Sequence, residues 1–353
     1  MSLQSRGRTF AVKGITLASL AFGSMLGVAA GQLAPAGVPP GRGLKSPPAS
    51  PRIDLNAYYH EDFADLTLAG SNLQVRPVAE PEAEKHEQFT RRRLSVQWRG
   101  GDPFDLYILK PVGVERPPLI VYLGSFPSET RRFMDDGFCT RLTQSGFAAV
   151  GFVSMSTGDR FQNRPMKEWF ISQLRESLVG TTHDVQMILN LLTARNEFDM
   201  SRVGMFGYGS GATIAILAAS ADPRIKAIDL VDPWGDWPEW MAKSPVVPDS
   251  ERANFVKPEF LQDVASLDPL FWLPRLKTPH VRLQLIKSDM ATPEAARLKM
   301  ETAAPRNAVM EHYDTTQLHS SANSGGKLFQ WLKDQLGPGQ EQTGTKSSSA
   351  KAE

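Results

Sequence analysis

Ser201-Arg-Val-Gly-Met-Phe-Gly-Tyr-Gly-Ser-Gly-Ala-Thr-Ile-Ala-Ile-Leu-Ala-Ala-Ser220 decides the fold. Val203, Met205 and Phe206 make a short apolar run of the kind that fills a strand buried on both faces, and residues 212–219 are a run of small and apolar helix formers. Only Gly207-Tyr208-Gly209-Ser210-Gly211 separates the two, so the chain must turn from strand into helix within a few residues. Gly207-x-Gly209-x-Gly211 is not the G-x-G-x-x-G spacing of a dinucleotide loop.

On the N-terminal side of this unit, residues 91–98 and 104–110 read as two extended runs joined by Arg99-Gly100-Gly101-Asp102-Pro103, a hairpin signal. Residues 118–123 read as a buried strand, followed by Gly124-Ser125-Phe126-Pro127 and a helix that Ser128 can cap, running to about Gln144. Residues 147–153 form the next apolar strand, and 169–195 the next helical stretch, with an interruption expected near Gly180. Residues 55–89 carry no strong period and read as a partly helical lead-in. Beyond the central unit, strands are expected at 225–231, 281–286 and 308–313, with helices from Pro293 and from about Ser324 to Leu336. The long connection 232–278 holds Trp234, Trp237 and Trp240. Strands alternating with helices imply an α/β fold with a mostly parallel sheet covered on both faces.

The 353 residues are 41% hydrophobic with a formal net charge of +1, enough to bury a sizeable core and without the global charge that draws a protein to nucleic acid. Arg6, Arg8 and Lys13 precede the uncharged apolar run 15–30, which closes on small residues; residues 1–30 therefore read as a signal peptide, or as a membrane anchor if retained. Residues 31–52 are a Pro/Gly-rich linker, 53–336 one domain with an N-terminal extension, and 337–353 a polar tail. Cys139 is the single cysteine, so no intrachain disulfide can form, and a periplasmic or extracellular setting is the expectation. No histidine pair has metal-ligand spacing, and no metal or cofactor is expected. His183, His280 and His312 read as ordinary helix or strand residues.

The chain resembles the α/β-hydrolase superfamily, within it the dienelactone-hydrolase-like and prolyl-oligopeptidase-like branch, over about 94–336. The resemblance rests on the strand-turn-helix unit, on Asp268-Pro269-Leu270 leading through Leu276-Lys-Thr-Pro279 into a strand, on Ile286-Lys-Ser-Asp289 ending that strand, and on His319 beyond the last strand. It implies a nucleophile elbow of pattern small-x-nucleophile-x-small, with the order nucleophile, acid, histidine. Gly207 and Gly211 are the small neighbours, which makes Gly209 the nucleophile position, and glycine offers no hydroxyl or thiol. The resemblance further implies Asp289 as the acid, His319 as the general base, the backbone N–H groups of Phe126 and Ser210 as the oxyanion hole, and a short lid insertion carrying Trp234, Trp237 and Trp240. Asp232 is the runner-up acid. The family often has His-Gly where this chain has Gly124-Ser125.

Three functions are compatible with these residues. A degenerate hydrolase binds a small ester or peptide-like ligand, or a protein partner, without turning it over. An active esterase or peptidase uses Ser210, one residue out of register, with His319 and Asp289. In the third, His319 and Asp289 activate water directly. The tryptophans either line a pocket mouth or partner surface, or pack the lid onto the core.

Overall fold

The computed structural model describes residues 61–68, 73–100, 102–126, 130–156, 160 and 170–337. The expected leader (1–30), the linker (31–52), the Ser128 cap and all but the first residue of the polar tail lie outside them. The strands are β1 (Arg76–Ala79), β2 (Glu84–Lys85), β3 (Phe89–Gln97), β4 (Phe104–Pro111), β5 (Pro118–Leu123), β6 (Ala148–Phe152), β7 (Asp199–Tyr208), β8 (Ile225–Val231), β9 (His280–Ile286) and β10 (Val309–Tyr313). They form one sheet in the order β1-β3-β4-β6-β5-β7-β8-β9-β10, with β2 on β3. Pairing is antiparallel from β1 through β4 to β6, and parallel from β6 to β10.

The helices are α1 (Asp136–Thr143), α2 (Leu174–Arg195), α3 (Ser210–Ala221), α4 (Trp237–Lys243), α5 (Asp249–Phe255), α6 (Pro258–Val264), α7 (Pro269–Trp272), α8 (Glu294–Ala303), α9 (Thr316–Ala322) and α10 (Gln330–Leu336). Every residue of β5 is buried, and its side chains alternate between two cores. Leu119, Val121 and Leu123 pack with α2 and α3, whereas Ile120 and Tyr122 pack with α1 and α10. Helices on both sides of a mostly parallel sheet, fed by an antiparallel hairpin, give the expected fold class. No helix of the described residues is long and apolar enough to cross a membrane.

Three local expectations are corrected. The described residues of the lead-in before β3 hold a turn region and two short strands in place of helix. The first α-helix begins at Asp136, where Asp135 accepts the Phe138 N–H at 2.8 Å, after a 3-10 turn over Arg131–Met134. Helix α2 runs through Gly180 without a break, because that glycine lets Met155 approach: a Cβ there would stand 2.3 Å from the Met155 Sδ. His319 lies in helix α9, capped by the Thr315 hydroxyl.

β5 neighbours both β6 and β7, so the strand order reverses at β5. Open α/β sheets gather ligands outside the carboxyl ends of the strands at such a reversal. The loop Gly124–Phe126 and the turn at Gly209 stand at that place.

Candidate active site

The turn between β7 and α3 has elbow geometry. Gly209 adopts φ 55°, ψ −118°, a region open essentially to glycine or to a residue held there under strain. Its neighbours are small for a steric reason. A Cβ on Gly207 would stand 2.5 Å from the Ala212 Cα, and one on Gly211 2.3 Å from the Leu123 carbonyl oxygen. The turn is fixed by the Gly209 N–H donating to the Val231 carbonyl at 2.9 Å and by the Gly209 carbonyl accepting from Ala212 and Thr213 at 3.0 and 3.1 Å. These contacts make Gly209 the central residue of the turn, with Ser210 opening the helix.

The space where a side chain at 209 would stand is taken by other groups. A Cβ there would lie 2.5 Å from the Ser125 Oγ and 3.2 Å from the Trp234 Nε1. Ser125 was not a nucleophile candidate from the sequence, where Gly124-Ser125 stands only as a departure from the family's usual His-Gly. The Phe126 N–H donates to the Ser210 Oγ at 3.0 Å. One of the two expected oxyanion donors is therefore satisfied by the chain's own hydroxyl, and the 3% exposed Ser210 side chain faces Phe126 and not an imidazole.

The remaining expected partners are near the carboxyl edge of the sheet but not joined to one another. Asp289 accepts the Tyr208 hydroxyl at 2.7 Å on one oxygen and the Ala291 N–H at 2.8 Å on the other. The Tyr208 phenol is raised well above its ordinary pKa by burial and by that carboxylate. His319 Nε2 lies 3.2 Å from the Gln284 Oε1. Gln284 gives its amide N–H to the Asp229 carboxylate at 2.8 Å, so its oxygen must face the histidine and Nε2 must carry the proton. Burial, with Arg282 nearby, holds the imidazole below its ordinary pKa. Among the described residues no hydrogen bond links Ser210, His319 and Asp289.

Asp232, the runner-up acid, also has a structural partner. It sits at φ 43° and accepts the Ile286 N–H at 3.0 and 3.2 Å, tying the exit of β8 to β9. Burial pushes its carboxyl up to about 7, with Asp289 adding to the rise and the Ile286 N–H opposing it.

The tryptophans are core and not a mouth. Trp234, Trp237 and Trp240 are 5%, 2% and 0% exposed, and their rings pack around Trp240, which lies tilted against Trp234 with centroids 5.0 Å apart and edge-to-face with Trp237 at 5.8 Å. The Trp234 carbonyl accepts the Thr213 hydroxyl at 2.6 Å, which fastens this insertion to the first turn of α3. The cavity that these residues share with Ser210 and Ser156 has a volume of about 10 Å3.

A second polar centre was invisible in the sequence. Asp184, fully buried on α2, accepts from the Trp98 indole at 2.7 Å, from Arg99 at 2.7 Å and from Arg160 at 3.0 Å. Arg160 also forks onto Asp102 at 3.0 and 2.7 Å, and Arg99 onto Glu61 at 2.6 and 2.6 Å. His183, read as an ordinary helix residue, bonds Glu61 at 2.8 Å. Burial alone would raise the Asp184 carboxyl, yet Arg99 and Arg160 bring it below its ordinary value.

No protein-family model and no curated protein matches the chain. Its backbone is similar to that of solved structures. Acetyl xylan esterase 1 from Thermoanaerobacterium sp. superposes with a TM-score of 0.58 at 14% identity, over 75% of this chain and 88% of that one. An acylaminoacyl peptidase from Pyrococcus horikoshii gives 0.56 at 15% identity, over 73% of this chain and 43% of that one. An S-formylglutathione hydrolase from Agrobacterium tumefaciens gives 0.54 at 14% identity, over 73% and 99%. The chain has the α/β-hydrolase fold.

Proposed function

We propose that this chain is a degenerate hydrolase: it keeps the fold and the elbow of the α/β-hydrolases and binds a small ester or peptide-like ligand, or a protein partner, without acyl transfer. The observation that carries this reading is the contrast at position 209. The backbone is held in the nucleophile's conformation, but the residue has no side chain and Ser125 and Trp234 stand in its space. Covalent acyl transfer from this position has no atom to begin it. The filled oxyanion donor, the His319–Gln284 bond and the Asp289–Tyr208 bond support the same reading, since each expected participant already has a partner. By the same bonds, water activation by a His319–Asp289 pair has no assembled pair to perform it.

A second reading is favoured by one observation. The Ser125 hydroxyl lies where a nucleophile at 209 would reach, so it could attack in place of the missing group. It would need a base, and the protonated nitrogen of His319 points at Gln284. Treatment with a serine-directed fluorophosphonate, followed by intact-mass and peptide analysis, tests all of these. The degenerate reading expects no adduct. An adduct on Ser125 establishes the second reading, and one on Ser210 establishes an ordinary serine hydrolase. The apolar run 15–30 behind basic residues supports export; the mature protein's N-terminal sequence, expected near residue 31, checks it.

A further inference from the structure

The lead-in segment 61–68 is held along α2 by side chains that grip its backbone. Gln186 donates to the Leu66 carbonyl at 2.7 Å and accepts the Leu68 N–H at 3.1 Å. On the same face of the helix, about one turn further on, Asn190 donates to the Leu73 carbonyl. About one turn the other way, His183 meets the Asp65 carbonyl with Nε2 and the Glu61 carboxylate with Nδ1, both at 2.8 Å. Leu66 and Leu68 are buried, and so is the whole His183 ring, on which Phe63 stacks with centroids 6.5 Å apart.

Both nitrogens of that ring therefore face acceptors. A peptide carbonyl has no hydrogen to give, so Nε2 must carry one. Glu61 takes the Arg99 fork on its two oxygens, at 2.6 Å each, which is the pairing of an ionised carboxylate, so Nδ1 must carry one as well. A histidine with a hydrogen on each nitrogen is the imidazolium. The surrounding charges agree with this: protonated His183, Arg99 and Arg160 match Glu61, Asp184 and Asp102 one for one. A neutral ring would leave the cluster with an unmatched buried carboxylate. The other charged groups of these elements are engaged elsewhere or stand further off. Asp62 and Asp65 accept N–H groups of their own segment, Arg175 pairs with Asp263, and Glu176 lies about two turns back along α2.

We propose that residues 61–68 form a strap on α2 that is closed by the His183 imidazolium and opens as rising pH removes its second proton. The sign follows from the bonds. The contact with Glu61 is a hydrogen bond when the proton is there and is lost without it, so the strap is closed at the lower pH and released as pH rises. Without that proton one ring nitrogen turns a lone pair toward a carboxylate or a carbonyl oxygen 2.8 Å away, and two acceptors in contact repel. The bonds of Gln186 and Asn190 involve no charge, so release begins at the Glu61 end. The strap acts in the same way whether or not the elbow turns substrate over.

The test uses the whole mature chain with nitrogen-15-labelled histidine. Ring-nitrogen spectra are recorded from about pH 6 to 10, with the His183 signal assigned as the one that Glu61→Gln displaces. Hydrogen-exchange protection of 61–68 and of α3, each relative to the unstructured chain, is followed over the same range. The expected result is a hydrogen on both His183 nitrogens at pH 7. As the second one is lost, protection of 61–68 falls about tenfold or more, as expected for loss of a hydrogen bond to a charge, while that of α3 stays. Glu61→Gln keeps the shape, removes the charge and moves both changes to lower pH. In His183→Gln the protection of 61–68 no longer depends on pH, and Glu61→Gln keeps the test available if that variant does not fold. A His183 nitrogen without hydrogen at pH 7 in the folded chain overturns the proposal. So does protection of 61–68 that stays constant over the range, or that falls only together with that of α3.

Discussion

The elbow at Gly209 and the charge cluster around Asp184 are both polar centres inside an apolar fold, and they are built in opposite ways. At the elbow each expected participant is present but bonded elsewhere: Ser210 to Phe126, Asp289 to Tyr208, His319 to Gln284. Around Asp184 the groups come from distant parts of the chain and bond one another, with Arg99 and Arg160 both reaching the same carboxylate. A reactive site needs groups left poised for a substrate, whereas a structural one satisfies every charge it buries. By that criterion the Asp184 cluster is a brace for the β3–β4 hairpin and α2, and the bonds made at the elbow are those that the proposed absence of acyl transfer expects.

The largest expected effect breaks the brace. Asp184→Ala leaves two buried guanidinium groups short of an acceptor, and the cost is about 3–5 kcal/mol of unfolding free energy, read by urea denaturation. A change below about 1 kcal/mol would mean that the cluster holds nothing together.

Next comes the buried acid beside the elbow. The Asp232 carboxyl, raised to about 7, binds its proton more tightly in the folded state than in the unfolded chain, where its pKa is about 3.9. Its contribution to stability is therefore full below about pH 4 and is lost as pH rises through 7. Asp232→Asn removes this dependence, which amounts to about 2–4 kcal/mol across that window, and the difference between the two unfolding curves from pH 4 to 8 measures it.

Gly209→Ser addresses the elbow itself. The new Cβ must displace Ser125 from 2.5 Å and occupy a strained φ, so stability falls by about 1–3 kcal/mol and no fluorophosphonate adduct forms. Adding Ser125→Gly returns part of the stability, because it clears the nearest obstacle. An adduct in the single variant would show that His319 and Asp289 are still available to a nucleophile.

The smallest effect is at Ser210. Ser210→Ala removes the acceptor for the Phe126 N–H and costs about 1 kcal/mol in thermal or chemical unfolding, with no change in the rate of ester hydrolysis.

The fold was legible because its deciding signal is local. Tiny residues at 207 and 211 between an apolar strand and an apolar helix admit few other geometries, and the alternation of strands and helices around them supplied the layers. That Gly209 is the centre of the turn was legible for the same reason. Other features depend on contacts between residues far apart in the chain. Nothing around Ser125 announces that its hydroxyl will stand over Gly209, because that depends on how closely β5 and β7 approach. The Asp184 cluster joins residues from Glu61 to Asp184 with no repeating interval. Gly180 suggested a helix break because glycine weakens an isolated helix, but the packing of Met155 onto it outweighs the intrinsic preference. His319 stands where the chain order puts a base, yet Gln284, on the neighbouring strand β9, decides what the imidazole bonds.

The central claim is that no group at this elbow forms an acyl intermediate. Stopped-flow mixing of the mature chain with an activated acetate ester, alongside the Ser125→Ala, Ser210→Ala and His319→Ala variants, tests it most directly. The account predicts no burst and the same background rate in all four proteins. A burst stoichiometric with protein, abolished by any one of the three substitutions, would contradict it.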